Sequence, residues 1–287
     1  MTTRSGKHLA VLGAGVMGVG ITTTALAHGL PVVLVDVDRA ALDRARTEVA
    51  HQLRHAALMG AAPADRAPGE VVTTTSVRDA AGAVAVVEAV TERLDAKVGA
   101  LGAVADVVDP GTPLITNTSG IPVDVLADAV PRPGELVGAH FMNPAYLIDL
   151  VEVVRGPRTA DDAVARLEAL LGSLGRRAVV VRDSPGFVTS RLLHPLLNDA
   201  ARLVGEGVAT AEQVDDLMRG CLGHRTGPLR TADLIGLDNL VDSLAALHER
   251  TGVESYRPGE ALLEKVRQGH LGRKSGRGFY DYGESRS

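Results

Sequence analysis

Up to about residue 184 the chain alternates two patterns. Short aliphatic, β-branched runs (HLAVLGAG, PVVLVDVD, VVTTTSV, AVAVVEAV, PLITNTS, ELVGAHFM and AVVVRDS) are separated by alanine-rich stretches with helical spacing, such as VMGVGITTTALAHG. The runs read as strands and the intervening stretches as helices, and strands alternating with helices predict a parallel sheet covered on both faces. After SPGF the strands stop: RLLHPLLNDAARLVGEG, TAEQVDDLMRGCL, TADLIGLDNLVDSLAALHERTG and GEALLEKVRQG all keep the helical period. The pattern predicts an α/β domain over 1–184 followed by an all-α domain over 185–287. Residues 39–59 read as one helix and AAPADRAPGE as a turn, predicting a helical hairpin at about 39–70 that projects beyond the sheet.

Composition narrows the function classes. At 287 residues and 45% apolar content, each of two domains has material for a core. No leader pattern opens the chain and no run of about 18 apolar residues occurs in it, so the expectation is a soluble, cytoplasmic protein with no membrane span. A single cysteine, Cys221, excludes an internal disulfide and a cysteine-based zinc cage, and no metal is expected. Net charge −5 with no basic tract, no Trp, 3 Phe and 4 Tyr argues against nucleic acid as a partner.

The first strand runs into GAGVMG, Gly13 to Gly18, and an acid, Asp36, ends the next strand 21 residues past Gly15. In a strand–turn–helix unit Gly13 makes the tight turn, Gly15 admits a pyrophosphate and Gly18 packs helix on strand, while Val16 and Met17 open a helix whose N–H groups face the phosphates. The amino-terminal domain is thus predicted to be Rossmann-type. A carboxylate at Asp36 suits ribose hydroxyls and repels a 2′-phosphate, favouring NAD; Arg39 is the rival, as a phosphate ligand for NADP or a solvated helix start. An ordinary glycine turn is the plainer reading of the same hexapeptide.

In HFMNPAYLIDLVEVV, residues 140–154, His140 ends one strand and Glu152 lies on the next. A turn at Asn143-Pro144 can bring the carboxylate beside the imidazole, holding one ring nitrogen protonated and leaving the other as a base. A buried histidine bonded to backbone fits this stretch equally well. Asp149 has no assignment beyond a solvent-facing place on an alternating strand.

GAGVMG with Asp36, VVEAVTERLDAK (86–97), TNTSG (116–120), HFMNP (140–144) with Glu152, DSPGFVTSRLL (183–193), GPLRTADLIGLD (227–238) and GRKSGRGFYDY (272–282) together resemble, in order, the landmarks of the 3-hydroxyacyl-CoA dehydrogenase family. The resemblance implies a catalytic pair at His140 and Glu152, with Ser119 and Asn143 orienting the reacting oxygen. It further implies cofactor contacts at Glu92, Lys97 and Asn117 beside the glycine loop and Asp36. Read without it, Glu92 and Lys97 are a helix-face ion pair and Asn117 and Ser119 a helix cap. The chemistry implied is oxidation of a C3 hydroxyl, with His140 taking the alcohol proton and Glu152 steadying the imidazolium.

Three departures bear on the substrate. Ser190 stands where the family usually has asparagine, Arg230 where it commonly has an acid, and RARTEVAHQLRHAALMG (44–60) has no lysine where fatty-acid enzymes of the family meet the CoA nucleotide, although Arg54 and His55 are candidate replacements. Ser190 and Arg230 are therefore taken as substrate-side candidates. The sequence resembles the branch that serves hydroxymalonyl- and methoxymalonyl-acyl-carrier-protein synthesis in polyketide formation, implying a glyceryl thioester on an acyl carrier protein. The alternatives are a 3-hydroxybutyryl-CoA dehydrogenase and a non-catalytic NAD-binding structural protein. Surplus apolar positions on the carboxy-terminal helices predict a homodimer through that domain.

Overall fold

The computed structural model describes residues 7–283, in two compact units that divide between Ser184 and Pro185. The first carries strands β1 (Leu9–Leu12), β2 (Val32–Val35), β3 (Val71–Thr74), β4 (Ala85–Glu88), β5 (Leu114–Thr116), β6 (Leu136–His140), β7 (Leu150–Arg155) and β8 (Arg177–Arg182). Its helices are α1 (Val16–Ala27), α2 (Arg39–Leu58), α3 (Leu94–Ala105), α4 (Val123–Leu126) and α5 (Asp161–Ser173). The strands form one sheet in the order β3-β2-β1-β4-β5-β6-β7-β8. β1, β2 and β4 are buried along their whole length, which is why they read as unbroken apolar runs.

The expected all-parallel sheet is broken once: β7 runs antiparallel to β6. The segment 141–149 that joins them is too short for the helical crossover a parallel pair requires, so the chain turns back beside its own strand. β8 then pairs parallel to β7 through the crossover α5, and forms one sheet edge with Val179 and Val180 exposed between Arg177 and Arg182.

The helix read over 39–59 is α2 and AAPADRAPGE is the turn after it, but the pair packs against α1 rather than projecting from the sheet. Only α2 is helical there; residues 59–70 return to β3 without a second helix. α2 starts on Asp38, whose side chain accepts Ala40 N–H at 2.9 Å, and buries Leu42, Ala45 and Val49 in the core shared with α1. The return is tied down: Arg66 donates to the His28 carbonyl at 2.9 Å and Gly69 N–H to the Leu26 carbonyl at 2.8 Å. The proline- and glycine-bearing return thus packs on the end of α1.

The second unit contains α6 (Thr189–Gly205), α7 (Ala211–Leu222), α8 (Pro228–Ile235), α9 (Leu237–Thr251) and α10 (Glu260–Arg267) around a core that includes Leu197, Leu229, Leu237, Leu240, Leu244 and Leu262. Two buried acids fasten its last segment. Asp215 accepts Leu229 and Arg230 N–H at the start of α8 and the Tyr280 hydroxyl at 2.8 Å. Asp233 accepts Phe279 and Tyr280 N–H and the Tyr282 hydroxyl at 3.0 Å. Burial first, then the Asp233 charge, push the Tyr282 hydroxyl up to about 12, so it stays a donor throughout the neutral range. No helix of the described residues is long and apolar enough to cross a membrane.

Candidate active site

The site is assembled from strand ends. β1, β2, β4, β5 and β6 run parallel, and the residues singled out in the sequence follow their carboxyl ends: Gly13 after β1, Asp36 after β2, Glu92 after β4, Asn117 and Ser119 after β5, and His140 closing β6. The strand order reverses direction between β1 and β4, and ligands of such sheets bind in the crevice at that point. Because β7 runs the other way, its beginning, with Glu152, reaches the same edge.

A cleft of about 1110 Å³ opens there, lined among others by Gly13, Gly15, Val16, Asp36, Asn143 and Tyr146. Gly13 and Gly18 have the tight backbone settings the hexapeptide predicts. Gly13 holds φ +101°, and a Cβ on it would stand 2.5 Å from the Ala89 carbonyl oxygen; on Gly18 it would stand 1.8 Å from that of Gly13. A Cβ on Gly15 meets nothing within 4 Å on the protein side, so a side chain there would fill the cradle itself. The first turn of α1 has no side-chain cap and no acid, leaving its N–H groups for a pyrophosphate. Met17 is half-buried in that turn. Asp36 is held by Ala14 N–H at 2.7 Å and Asp38 N–H at 2.8 Å, one on each oxygen, and keeps lone pairs for ribose hydroxyls. Arg39 is exposed at the start of α2. These features fit NAD. Replacing Asp36 by alanine is expected to weaken NAD binding by about 10–100-fold, the size of one charge-assisted hydrogen bond lost, and to narrow the preference over NADP. Titration of both cofactors by tryptophan-free fluorescence of the bound reduced nicotinamide reads this directly.

His140 and Glu152 face each other across the β6–β7 ladder, with Nδ1 3.1 Å from Oε2 and both side chains buried. The pairing comes from strand register, which the sequence reading approached only as a turn that brings the two together. Asn117 lies beside them: its Oδ1 accepts Phe141 N–H at 3.1 Å, tying the end of β5 to the end of β6. Asn143 is exposed on the cleft wall and Ser119 is half-buried on the turn after β5. Asp149 is exposed, but it precedes β7 rather than alternating along it: Leu150 beside it is exposed too, and 151–154 are all buried.

Lys97 differs from its expected place at the cofactor. Its side chain is 1% exposed, with Nζ 2.8 Å from Glu88 and 3.2 Å from Glu92. It therefore sits below the surface, between two carboxylates. Burial pushes the Glu92 carboxyl up, but the Lys97 charge and the donors Thr118, Ser119 and Lys97 outweigh it and hold the group below the ordinary glutamate value. Glu88, fully buried, was missed by the sequence reading; its signal was an acid ending an otherwise apolar parallel strand.

Ser190 and Arg230 belong to the helical unit. Ser190 is buried in the first turn of α6. The Arg230 guanidinium lies 4.0 Å from the centre of the Tyr280 ring, a cation–π contact that accounts for this arginine without a substrate anion. On α2, His55 is engaged by the Tyr146 hydroxyl at 3.1 Å, and Arg54 is exposed.

Residues 8–184 match the 3-hydroxyacyl-CoA dehydrogenase NAD binding domain, and 186–282 match the 3-hydroxyacyl-CoA dehydrogenase C-terminal domain. A probable 3-hydroxybutyryl-CoA dehydrogenase of Deinococcus radiodurans is 39% identical over 275 residues, covering 95% of this chain and 99% of the relative. One from Bacillus subtilis is 38% identical over 284 residues, covering 98% and 99%. Among solved structures, FadB2 of M. tuberculosis superposes with a TM-score of 0.91 at 36% identity, covering 96% of this chain and 99% of that one. The (S)-3-hydroxybutyryl-CoA dehydrogenase PaaH1 of Ralstonia eutropha gives 0.86 at 35%, covering 97% and 99%. With both domain models matched along nearly its whole length and an NAD cradle in the first unit, the chain belongs to the 3-hydroxyacyl-CoA dehydrogenase family.

Proposed function

We propose that the protein oxidises the C3 hydroxyl of a short 3-hydroxyacyl-CoA thioester with NAD, 3-hydroxybutyryl-CoA being the reading its relatives favour. The observation that carries it is the buried His140–Glu152 pair at the strand edge where the cofactor cleft opens. An alcohol proton does not leave unaided at neutral pH, so the reaction needs a base that changes charge in that range. With Nδ1 held by Glu152, Nε2 of His140 takes the proton, and the carboxylate stabilises the imidazolium that forms. NAD, when bound, accepts the C3 hydrogen as hydride. Ser119 and Asn143 hydrogen-bond the reacting oxygen and fix its distance to the base. In the reverse direction the same imidazolium protonates the developing alkoxide.

A second reading, a glyceryl group on an acyl carrier protein, is favoured by one specific feature. α2 has no lysine, and of the two candidate replacements His55 is engaged with Tyr146, so Arg54 alone remains exposed for a CoA nucleotide. NADH formation from 3-hydroxybutyryl-CoA and from glyceryl-acyl-carrier protein separates the two. Preference for the CoA ester removes the carrier reading, and preference for the carrier removes the first. If NAD binds and neither thioester is oxidised, the remaining reading is the non-catalytic one.

We also propose a homodimer through the helical unit. Leu192, 71% exposed on α6, and the exposed Leu217, Leu222 and Leu234 on α7 and α8 support it, since isologous pairing is the commonest cover for such residues. Light scattering at micromolar concentration is expected to give twice the chain mass; a monomeric mass removes the proposal.

A further inference from the structure

Below the turn that carries Ser119 lies a chain of charged groups that the proposed reaction does not itself use. Glu88, fully buried at the end of β4, accepts three donors: Lys97 Nζ at 2.8 Å and Val90 N–H at 2.8 Å on Oε1, and the Thr116 hydroxyl at 2.7 Å on Oε2. Lys97 bridges from there to Oε2 of Glu92 at 3.2 Å. The other oxygen of Glu92 accepts the Thr118 hydroxyl at 2.5 Å, Ser119 N–H at 2.8 Å and Gly120 N–H at 3.2 Å. A buried carboxylate is thus connected, in two ionic steps, to the backbone of Ser119.

A turn of this kind does not need such a foundation. Thr118 already caps it locally, its hydroxyl accepting Ile121 N–H at 2.9 Å. Two carboxylates sharing one buried cation is moreover a costly arrangement, one that apolar residues replace without loss of stability in other proteins. What the arrangement adds is constraint. The Glu92 side chain is 44% exposed and would otherwise rotate into water; Lys97, immobile because Glu88 holds it, keeps one Glu92 oxygen turned inward and leaves the other aimed at the turn.

We infer that Glu88 is a positioning residue for Ser119, acting through Lys97 and Glu92 to hold the turn in the geometry that orients the reacting oxygen. The kinetic half of this inference rests on the hydride-transfer reading above; the structural half does not. Glu88→Gln keeps one acceptor, for Val90 N–H, and turns its NH2 to the Thr116 hydroxyl, which can accept instead of donating, but it leaves Lys97 to Glu92 alone, drawing that carboxylate off its three donors. Glu88→Gln with Lys97→Met removes both buried charges and so tests the same loss without a buried charge imbalance.

The experiment measures amide hydrogen exchange, melting temperature and steady-state kinetics on the full chain. In both variants the Ser119 and Gly120 amides are expected to exchange at least tenfold faster, and kcat to fall 10–100-fold with KM for NAD changed less than threefold. The melting temperature of the double variant is expected to return to near the wild-type value. A purely structural role gives a different pattern: kcat recovers together with the melting temperature, and that result overturns the inference, as does unchanged exchange at Ser119 and Gly120. If the wild-type protein oxidises none of the thioesters tried, the hydride-transfer reading has failed and exchange alone decides the positioning claim, faster exchange sustaining it and unchanged exchange overturning it.

Discussion

Replacing His140 by alanine is expected to lower kcat by about 10²–10⁴-fold, the range that a positioned acid–base group contributes, while NAD affinity stays within about threefold. The two effects separate because they rest on different residues. The cleft that receives the cofactor is lined by Gly13, Gly15, Val16 and Asp36 among others, and His140 is not on its wall. The imidazole is instead held by Glu152, with Nδ1 3.1 Å from Oε2. Alanine removes the proton acceptor and leaves Glu152 buried without its partner on Nδ1, so a modest loss of stability accompanies the kinetic one. Single-turnover NADH formation with saturating thioester, alongside NAD titration, checks both parts. Turnover within tenfold of wild type sinks the assignment of the base.

Lys97→Met is expected to cost about 3–5 kcal/mol of stability, the usual result of removing one partner from a buried ion pair. For a domain of this size that corresponds to a fall of roughly 6–20 °C in melting temperature. Methionine matches the aliphatic stem, so little of this comes from packing. Glu88, fully buried, loses the ionic partner that Lys97 supplies. A lysine that served only as a cofactor ligand behaves otherwise: the melting temperature without NAD stays put and KM for NAD rises. Scanning calorimetry on cofactor-free protein distinguishes the two, and a midpoint within 2 °C of wild type refutes the buried role.

Much of the first unit was legible because its signals are local. A parallel strand buried on both faces has to be an apolar run, and GAGVMG followed by Asp36 encodes a turn, a cradle and an acceptor in one stretch of chain. The division near residue 184 was legible for the same reason, since the period of the pattern changes there. What escaped depends on pairing in space. That β7 turns antiparallel follows from the length of 141–149, a signal masked by the regular alternation of strands and helices in the rest of the unit. Lys97 falls on the same face of α3 as the buried Leu101, Val104 and Ala105, yet its charge reads as a surface group, and only the fold reveals that an acid nine positions earlier on β4 lies beneath it. The helix and turn of 39–70 were legible, but proline and glycine in AAPADRAPGE indicate a turn without showing that it is tied back onto the end of α1. Arg230 reads as a charge reversal in a motif, whereas its partner, Tyr280, is distant in sequence.

The edge strand β8 has a consequence for life at high concentration. Its outer side is without a strand neighbour in the sheet and exposes Val179 and Val180, which makes it a template on which a second molecule's strand can polymerise. The sequence RAVVVR reads almost the same from either end. An antiparallel copy centred between the two valines sets Arg177 against Arg182 at both ends of the ladder, and like charges directly opposed destabilise a strand pair. The two arginines therefore act as gatekeepers, repelling the one partner always present in excess, another copy of the same chain.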